Sequence, residues 1–289
     1  VRPVKFHPPD IQAQLVNPLI LSHYCYGRSL GYLDERYPEN DLKEAFNTLF
    51  NGIHILYFFP LWGQLMNRLP PYLVSALNPK SKVLAYFRSM VRQQAIEALD
   101  AQAKGRAGDK KQSIFNALVD PSLPPQERTV DRLTEEGMIV LGAGAETTAN
   151  TLTLGAYHLI RNPSIVLRLR EELKNTAMPH HDSQPRWADL EKLPYLTAVV
   201  NETLRLAMGG SWRMPRIATQ ETLICNGVEL PAGTPLITCS WFVHMNPEIF
   251  PSPMKFDPDR WILAAERGIH LPKYLTNFAK GSRNCLGIK

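Results

Sequence analysis

The ten residues Phe278–Gly287, FAKGSRNCLG, surround one cysteine with neighbours that could all serve the same chemistry. As a thiolate, Cys285 is a soft anionic ligand suited to iron. Gly281 and Gly287 let backbone approach a flat macrocycle and bend around the sulfur. N–H groups after Cys285 can point back at the sulfur and spread its charge. Arg283 can pair with a propionate, and Phe278 can keep water from the thiolate, which strengthens these interactions. Each neighbour thus has a possible job if Cys285 is a thiolate ligand to a haem iron. A lone cysteine in a glycine loop is more often structural, so the weight rests on the whole spacing.

A second stretch, MIVLGAGAETTANTLTL at 138–154, admits two incompatible readings. An apolar run before Gly142-Ala143-Gly144 looks like a strand entering a dinucleotide-binding turn. That reading needs a preceding strand, a third glycine and an acidic residue about twenty positions on, at the end of a second strand. Here VDRLTEEG precedes it, charged at helical spacing. Thr147 stands at the third glycine position, and IVLRLREEL, a helix, follows. Read as a helix, the segment lines up Gly137, Val140, Gly144, Thr147, Thr151 and Leu154 in steps of three and four. The stripe is narrow at Gly144 and carries a hydroxyl one turn later. Each interior glycine costs up to about 1 kcal/mol relative to alanine, so several in one helix imply close approach, either of another helix or of a bound group.

The elements that must position these residues are mainly helical. The spacing predicts an amphipathic helix over 41–57, a long helix over 81–102 and a short one around Ile114–Val119. Another long helix is expected from Thr129 to about Arg161, ended by Asn162-Pro163, with further helices over PSIVLRLREELKN and Tyr195–Ala207. AKGRAGDKKQ (103–112) reads as a charged loop, and His180-His181 as solvated loop residues. ETLICNGVELPAGTPLITC (221–239) then alternates, with Asn226-Gly227 a two-residue hairpin signal. The rest is loop-rich. Helices first and a small sheet later give a mainly α chain with a small β-region, an α+β class.

Composition narrows the options. The 289 residues carry a formal charge of +5 without a run of five like charges, so a nucleic-acid footprint is not indicated. Cys25, Cys225, Cys239 and Cys285 form no CxxC pair, which disfavours a zinc site or disulfide framework. No stretch has the roughly 18 uninterrupted apolar residues of a membrane span. The chain opens on Val1 and stops four residues after Cys285, and reads as a fragment.

FAKGSRNCLG matches the cytochrome P-450 haem-binding signature F-x-x-G-x-R-x-C-x-G at every fixed position, and the chain resembles that family. Three other stretches match in the expected order. AGAETT (Ala143–Thr148) is similar to the A-G-x-[DE]-T-T segment of the family's distal helix. ETLR (Glu202–Arg205) matches the E-x-x-R motif, with acid and base on one helix face. FDPDRW (Phe256–Trp261) resembles the F-x-P-x-R-[WF] segment. General likeness, including HYCYGRSLGYL and NRLPPYLVSALNP, is closest to fungal microsomal, trichodiene-oxygenase-like members.

The resemblance implies a haem b cofactor (iron protoporphyrin IX) ligated by Cys285. Phe278, Gly281, Arg283, Gly287 and Arg216 would serve as cofactor-binding residues. Gly144 would make room for O2 on the distal helix, and Glu146 and Thr147 would handle protons there. Glu202, Arg205 and Arg260 would form a structural ion network that holds the cysteine loop. Ser211, Trp212, Met214, Leu141 and Thr151 are weaker candidates for the substrate pocket, equally readable as core. The apolar stretch 50–62 reads first as core and second as a segment dipping into a membrane surface. Residues 1–289 would be one incomplete domain, without an N-terminal anchor, the early strands and helices, and the helix after the cysteine loop.

The implied activity is that of a haem-thiolate monooxygenase inserting one oxygen atom from O2 into a small apolar substrate, in fungal secondary metabolism. NADPH-cytochrome P-450 reductase would be the electron donor, drawn to a basic face around Lys273, Lys280 and Lys289. The parent protein would sit on the cytosolic face of the endoplasmic reticulum membrane. The alternatives are a truncated, non-catalytic product, or a haem-thiolate isomerase or dehydratase without O2 activation. Intact Glu146 and Thr147 argue against the last.

Overall fold

A computed structural model describes residues 81–105, 113–176, 185–210 and 215–288, with Gly52, Phe58, Phe59, Leu61 and Gln64. The expected helix over 41–57, most of 50–62, His180-His181, Ser211, Trp212, Met214, Lys289 and the side chain of Leu141 lie outside the described residues. The chain divides into two compact units, Val1–Asn150 and Thr151–Lys289.

In the first unit, α1 (Ser81–Ala103) buries Phe87, Val91 and Ala95, spaced every four residues on one face. Against this stripe lie Phe115 of α2 (Ile114–Leu118), Val119 just beyond it, and Leu133 of α3 (Val130–Arg161). An Asx turn follows α2, in which the Ser122 N–H donates to the Asp120 carboxylate at 2.8 Å. Thr129 caps α3: its hydroxyl accepts from the Arg132 N–H at 3.2 Å. A Cβ at Gly137 would lie 2.6 Å from Val91 Cγ1 and 3.0 Å from Phe115 Cζ. Gly137 is thus a packing glycine, and the close approach expected of this stripe is made there by α1 and α2 side chains. Arg88–Glu135 and Arg92–Asp131 pairs rim the α1–α3 contact. Being solvent-exposed, each contributes about 0–1 kcal/mol.

In the second unit α3 ends at Arg161, where the Asn162 amide donates to the His158 carbonyl at 2.6 Å, and Pro163 opens α4 (Pro163–Thr176). After the single turn α5 (Trp187–Leu190), α6 (Pro194–Ala207) forms the centre of this unit. Its start lacks a local side-chain cap: Leu193 is the N-cap residue and Pro194 has no N–H. Glu172 of α4 supplies the acceptors instead, taking the Tyr195 and Leu196 N–H groups at 2.8 Å each. One face of α6 sends Ala198 into a cluster with Phe250, Trp261, Ala264 and Leu271, and another packs Tyr195 and Val199 with Phe256. Gly155 of α3 lies against Thr203, whose Cγ2 would be 3.0 Å from an added Cβ.

The β-region is two antiparallel pairs, one enclosing the other in sequence. The strand β1 (Pro215–Ile217) pairs with β4 (Pro235–Ile237), while β2 (Leu223–Cys225) pairs with β3 (Val228–Leu230). The β2–β3 turn has φ of 50° at Asn226 and 80° at Gly227. Two positive φ angles are what a type I′ turn demands, so the expected hairpin is present. Two short helices, α7 (Ser240–His244) and α8 (Asp259–Glu266), complete the mainly α architecture.

Candidate active site

The E-x-x-R spacing puts Glu202 and Arg205 one turn apart on α6, and both side chains are fully buried. Arg205 donates in a fork, Nε to Oε2 at 2.9 Å and Nη2 to Oε1 at 2.8 Å. Arg260 Nε reaches Oε1 at 3.1 Å, Trp261 Nε1 reaches Oε2 at 3.0 Å, and the Asp257 N–H donates to Oε1 at 2.9 Å. Five donors therefore satisfy one carboxylate. The remaining guanidinium N–H groups turn to backbone: Arg205 to the His244 and Lys255 carbonyls, Arg260 to Pro251, Ser252 and Lys255. Arg205 also lies over the Phe250 ring, 5.2 Å from its centroid. Burying these charges is costly, and the geometry is what repays it.

The network reaches the cysteine loop through two residues that sequence reasoning missed. His244, fully buried, contacts the Arg205 carbonyl through Nδ1 at 3.0 Å and the Thr276 N–H through Nε2 at 3.1 Å. Asn277 donates its amide to the Leu204 carbonyl at 2.6 Å. Both carbonyls belong to the last turn of α6, and the Leu204 carbonyl accepts from the Met208 N–H as well. Burial pushes the His244 imidazole below its usual pKa, aided by the nearby Arg205 charge and opposed by the Arg205 and Tyr274 carbonyls. The available signal for His244 was its place in a short helix just before Asn246-Pro247.

Beyond Asn277 the chain turns sharply. Ala279 has φ of 55° and Gly281 of 82°, and the Cys285 N–H donates to the Phe278 carbonyl at 2.8 Å, closing the loop. Cys285 is a free, exposed thiol. Arg283 is exposed, Phe278 is half-buried, and a Cβ on Gly287 would come within 3.8 Å of Cys285 Sγ. A Cβ on Gly281 would meet nothing within 4 Å, so its left-handed backbone is what calls for glycine there. An accessible thiol on a closed loop, with bare backbone beside the sulfur and an arginine two residues away, fits a haem with a thiolate ligand. Among the described residues, no three His, Cys, Asp or Glu side chains cluster to hold a metal ion.

In the other unit, α3 carries Gly144 and Glu146, both half-buried, and Thr147, which is exposed. The Thr147 hydroxyl donates to the Ala143 carbonyl at 2.7 Å, and Glu146 accepts from the Asn150 amide at 2.9 Å. Ala145 and Ala149 face inward. Arg216 is exposed on β1 and donates to the Pro215 carbonyl at 3.3 Å. Lys273 and Lys280 are exposed beside the loop, and Lys280 Nζ donates to the Lys273 carbonyl. Thr151 is half-buried on α3.

The family model described as cytochrome P-450 matches residues 15–289. The chain is 39% identical over 269 residues to cytochrome P-450 monooxygenase aflU of Aspergillus parasiticus, covering 93% of this chain and 53% of that protein. It is 40% identical over 268 residues to cytochrome P-450 monooxygenase TRI4 of Trichoderma arundinaceum, covering 93% and 51%. Conidiogenone synthase of Penicillium rubens is 38% identical over 278 residues, covering 96% and 55%. The chain thus spans about half the length of the curated relatives it matches. With its E-x-x-R carboxylate fully paired and its signature cysteine on a closed, glycine-shaped loop, this chain belongs to the cytochrome P-450 family.

Proposed function

We propose that the protein is a haem-thiolate monooxygenase that inserts one atom of O2 into a small apolar organic molecule. The observation that carries this reading is the Cys285 loop, tied at its root to the paired ion network of α6. When bound, haem b would supply the oxygen-activating redox chemistry. Cys285 would hold its iron as a thiolate, Arg283 and Arg216 would pair with propionates, and Phe278, Gly281 and Gly287 would shape the sulfur's surroundings.

On α3, Gly144 would leave room beside the helix, and Glu146 and Thr147 would move protons. The Thr147 hydroxyl donates its proton in a hydrogen bond to the Ala143 carbonyl. Donating elsewhere means giving up that bond, a cost of about 0.5–1.5 kcal/mol. Asn150 holds the Glu146 carboxylate one turn away, so its side-chain rotation would release an acceptor for a proton.

Relatives named as fungal monooxygenases and as a conidiogenone synthase support secondary metabolism as the setting. The exposed Lys273 and Lys280 support an acidic flavoprotein partner, NADPH-cytochrome P-450 reductase, docking beside the cysteine loop. Endoplasmic reticulum attachment through a segment preceding Val1 belongs to the same reading. So does assignment of residues 1–289 to a single domain, which the family match from residue 15 to 289 supports.

The test is a carbon-monoxide difference spectrum of the reduced protein. A red-shifted Soret band that Cys285→His abolishes, with haem retained, is expected. Haem binding without that band in the unaltered protein would overturn the assignment.

A further inference from the structure

The Arg205 carbonyl can only accept a hydrogen bond, so His244 Nδ1, 3.0 Å away, must carry the proton. The Thr276 N–H can only donate, so Nε2, 3.1 Å from it, must be bare. The ring is fully buried and both of its nitrogens are committed to backbone. We propose that His244 is a positioning residue for the Cys285 loop, acting as a fixed neutral tautomer that joins the last turn of α6 to the Thr276 amide. Its functional consequence rests on reading Cys285 as the haem ligand; its geometry does not.

The neighbours of the ring leave a second proton poorly accommodated. The nearest charge is the Arg205 guanidinium, which donates to His244's own carbonyl at 3.0 Å and repels an imidazolium. Glu202, the neighbouring carboxylate, is saturated by Arg205, Arg260, Trp261 and the Asp257 N–H. Phe250 meets the ring nearly perpendicular, with centroids 6.4 Å apart. The Thr276 hydroxyl lies 3.3 Å from Nε2, and the Tyr274 carbonyl favours the protonated form. A proton on Nε2 would therefore confront the Thr276 N–H, and the ring would have to exchange that donor for a carbonyl such as Tyr274's.

The lost contact stands at the root of the loop. The Ala279 N–H donates to the Thr276 carbonyl at 3.0 Å, and the Cys285 N–H closes the loop onto the carbonyl of Phe278, two residues after Thr276. Asn277 gives a parallel tie through Leu204, leaving its own Oδ1 buried without a hydrogen-bond partner. Releasing the Thr276 amide thus leaves the Asn277–Leu204 bond to hold the segment that positions the sulfur against α6.

Nitrogen-15 chemical shifts of the imidazole, measured on the full-length protein, report the tautomer directly. We expect neutral His244 with the proton on Nδ1 at pH 7. Hydrogen exchange then reads the consequence. Protection of the 276–285 amides should fall by up to about tenfold per pH unit below 6.5, until the lowered folded-state pKa is reached. His244→Gln puts an acceptor near the Nε2 position and cannot titrate in this range, so protection should persist without that pH dependence. His244→Asn reproduces only the Nδ1 side, and protection should be lost at every pH. An Nε2–H tautomer, a charged ring at pH 7, or unchanged protection from pH 7.5 to 5 in the unaltered protein would overturn the proposal; the first two need no variant to fold. The carbon-monoxide spectrum at pH 7.5 tests the haem-thiolate reading separately, since its failure would leave the exchange results standing.

Discussion

The indole N–H of Trp261 donates to Glu202 Oε2 at 3.0 Å, so a tryptophan from α8 completes the set of donors around the carboxylate buried on α6. Trp261→Phe keeps the ring near Phe250 and Ala198 but removes that donor. It should cost about 1.5–3 kcal/mol, the range for a hydrogen bond to a charged group. Glu202→Gln withdraws the charge that offsets two arginines and should cost more, about 3–5 kcal/mol. Urea midpoints of the two variants check both the values and their order.

Gly155 and Thr203 meet closely enough that a methyl group cannot be added without movement. Gly155→Ala places its Cβ 3.0 Å from Thr203 Cγ2 and 3.3 Å from Oγ1. Overpacking of this kind should destabilise by about 1–3 kcal/mol. Thr203→Ser deletes the nearest atom while keeping the hydroxyl that donates to the Val199 carbonyl. The double variant should recover part of the loss, and a double-mutant cycle reads the coupling. Additive losses would show that the two residues do not share this contact.

Glu172→Ala removes both acceptors from the first turn of α6. A loss of about 0.5–2 kcal/mol is expected, as for other N-terminal capping residues. Hydrogen exchange should accelerate at Tyr195 and Leu196 while the Met208 amide at the other end, bonded to the Leu204 carbonyl, stays protected.

His158 stacks on Phe256, with centroids 4.5 Å apart and planes within 7°. Burial lowers its pKa, with the Glu202 charge pulling the other way and Arg161 and Arg205 adding to the fall. Below about 6.5, the reference imidazole value, the unfolded chain takes up a proton that folded His158 resists, as does His244. Stability should therefore be fully present above that pH and decline as pH falls towards the folded-state values. Denaturation midpoints between pH 7.5 and 5 check the slope. An NMR titration should place the His158 midpoint below 6.5, and Phe256→Leu, which removes the stacked ring, should move it.

Periodicity captured the long helices well. The expected 81–102, 129–161 and 195–207 segments appear as Ser81–Ala103, Val130–Arg161 and Pro194–Ala207. Each has several turns of amphipathic pattern and a stop signal such as Asn162-Pro163. Trp187–Leu190, Ser240–His244 and Asp259–Glu266 passed as loop because one or two turns cannot establish a period among so many prolines. The β1–β4 pairing was hidden for another reason: its strands have three residues each and pair across the whole hairpin between them.

The same divide runs through the candidate site. Glu202, Arg205 and Arg260 were all legible from motif resemblance, the first two as an acid and a base three residues apart on one helix. His244, Asn277 and Thr276 act on or through backbone groups, and a carbonyl or N–H has no letter in the sequence. For Gly137, periodicity put the residue on one stripe with Gly144 and Thr147, but only the packing shows that Val91 and Phe115 are what approach it.

The borrowed cap on α6 has a consequence for how this unit assembles. Leu193 offers the helix no side-chain cap, and the acceptors its first N–H groups need come from Glu172, 23 and 24 residues before the amides they serve. An excised peptide spanning Pro194–Ala207 would fray at its first turn, since a helix of 14 residues is marginal in water even without that defect. Completion of the first turn of α6 is therefore coupled to docking of α4, because the helix that carries Glu202 draws part of its own backbone bonding from another helix.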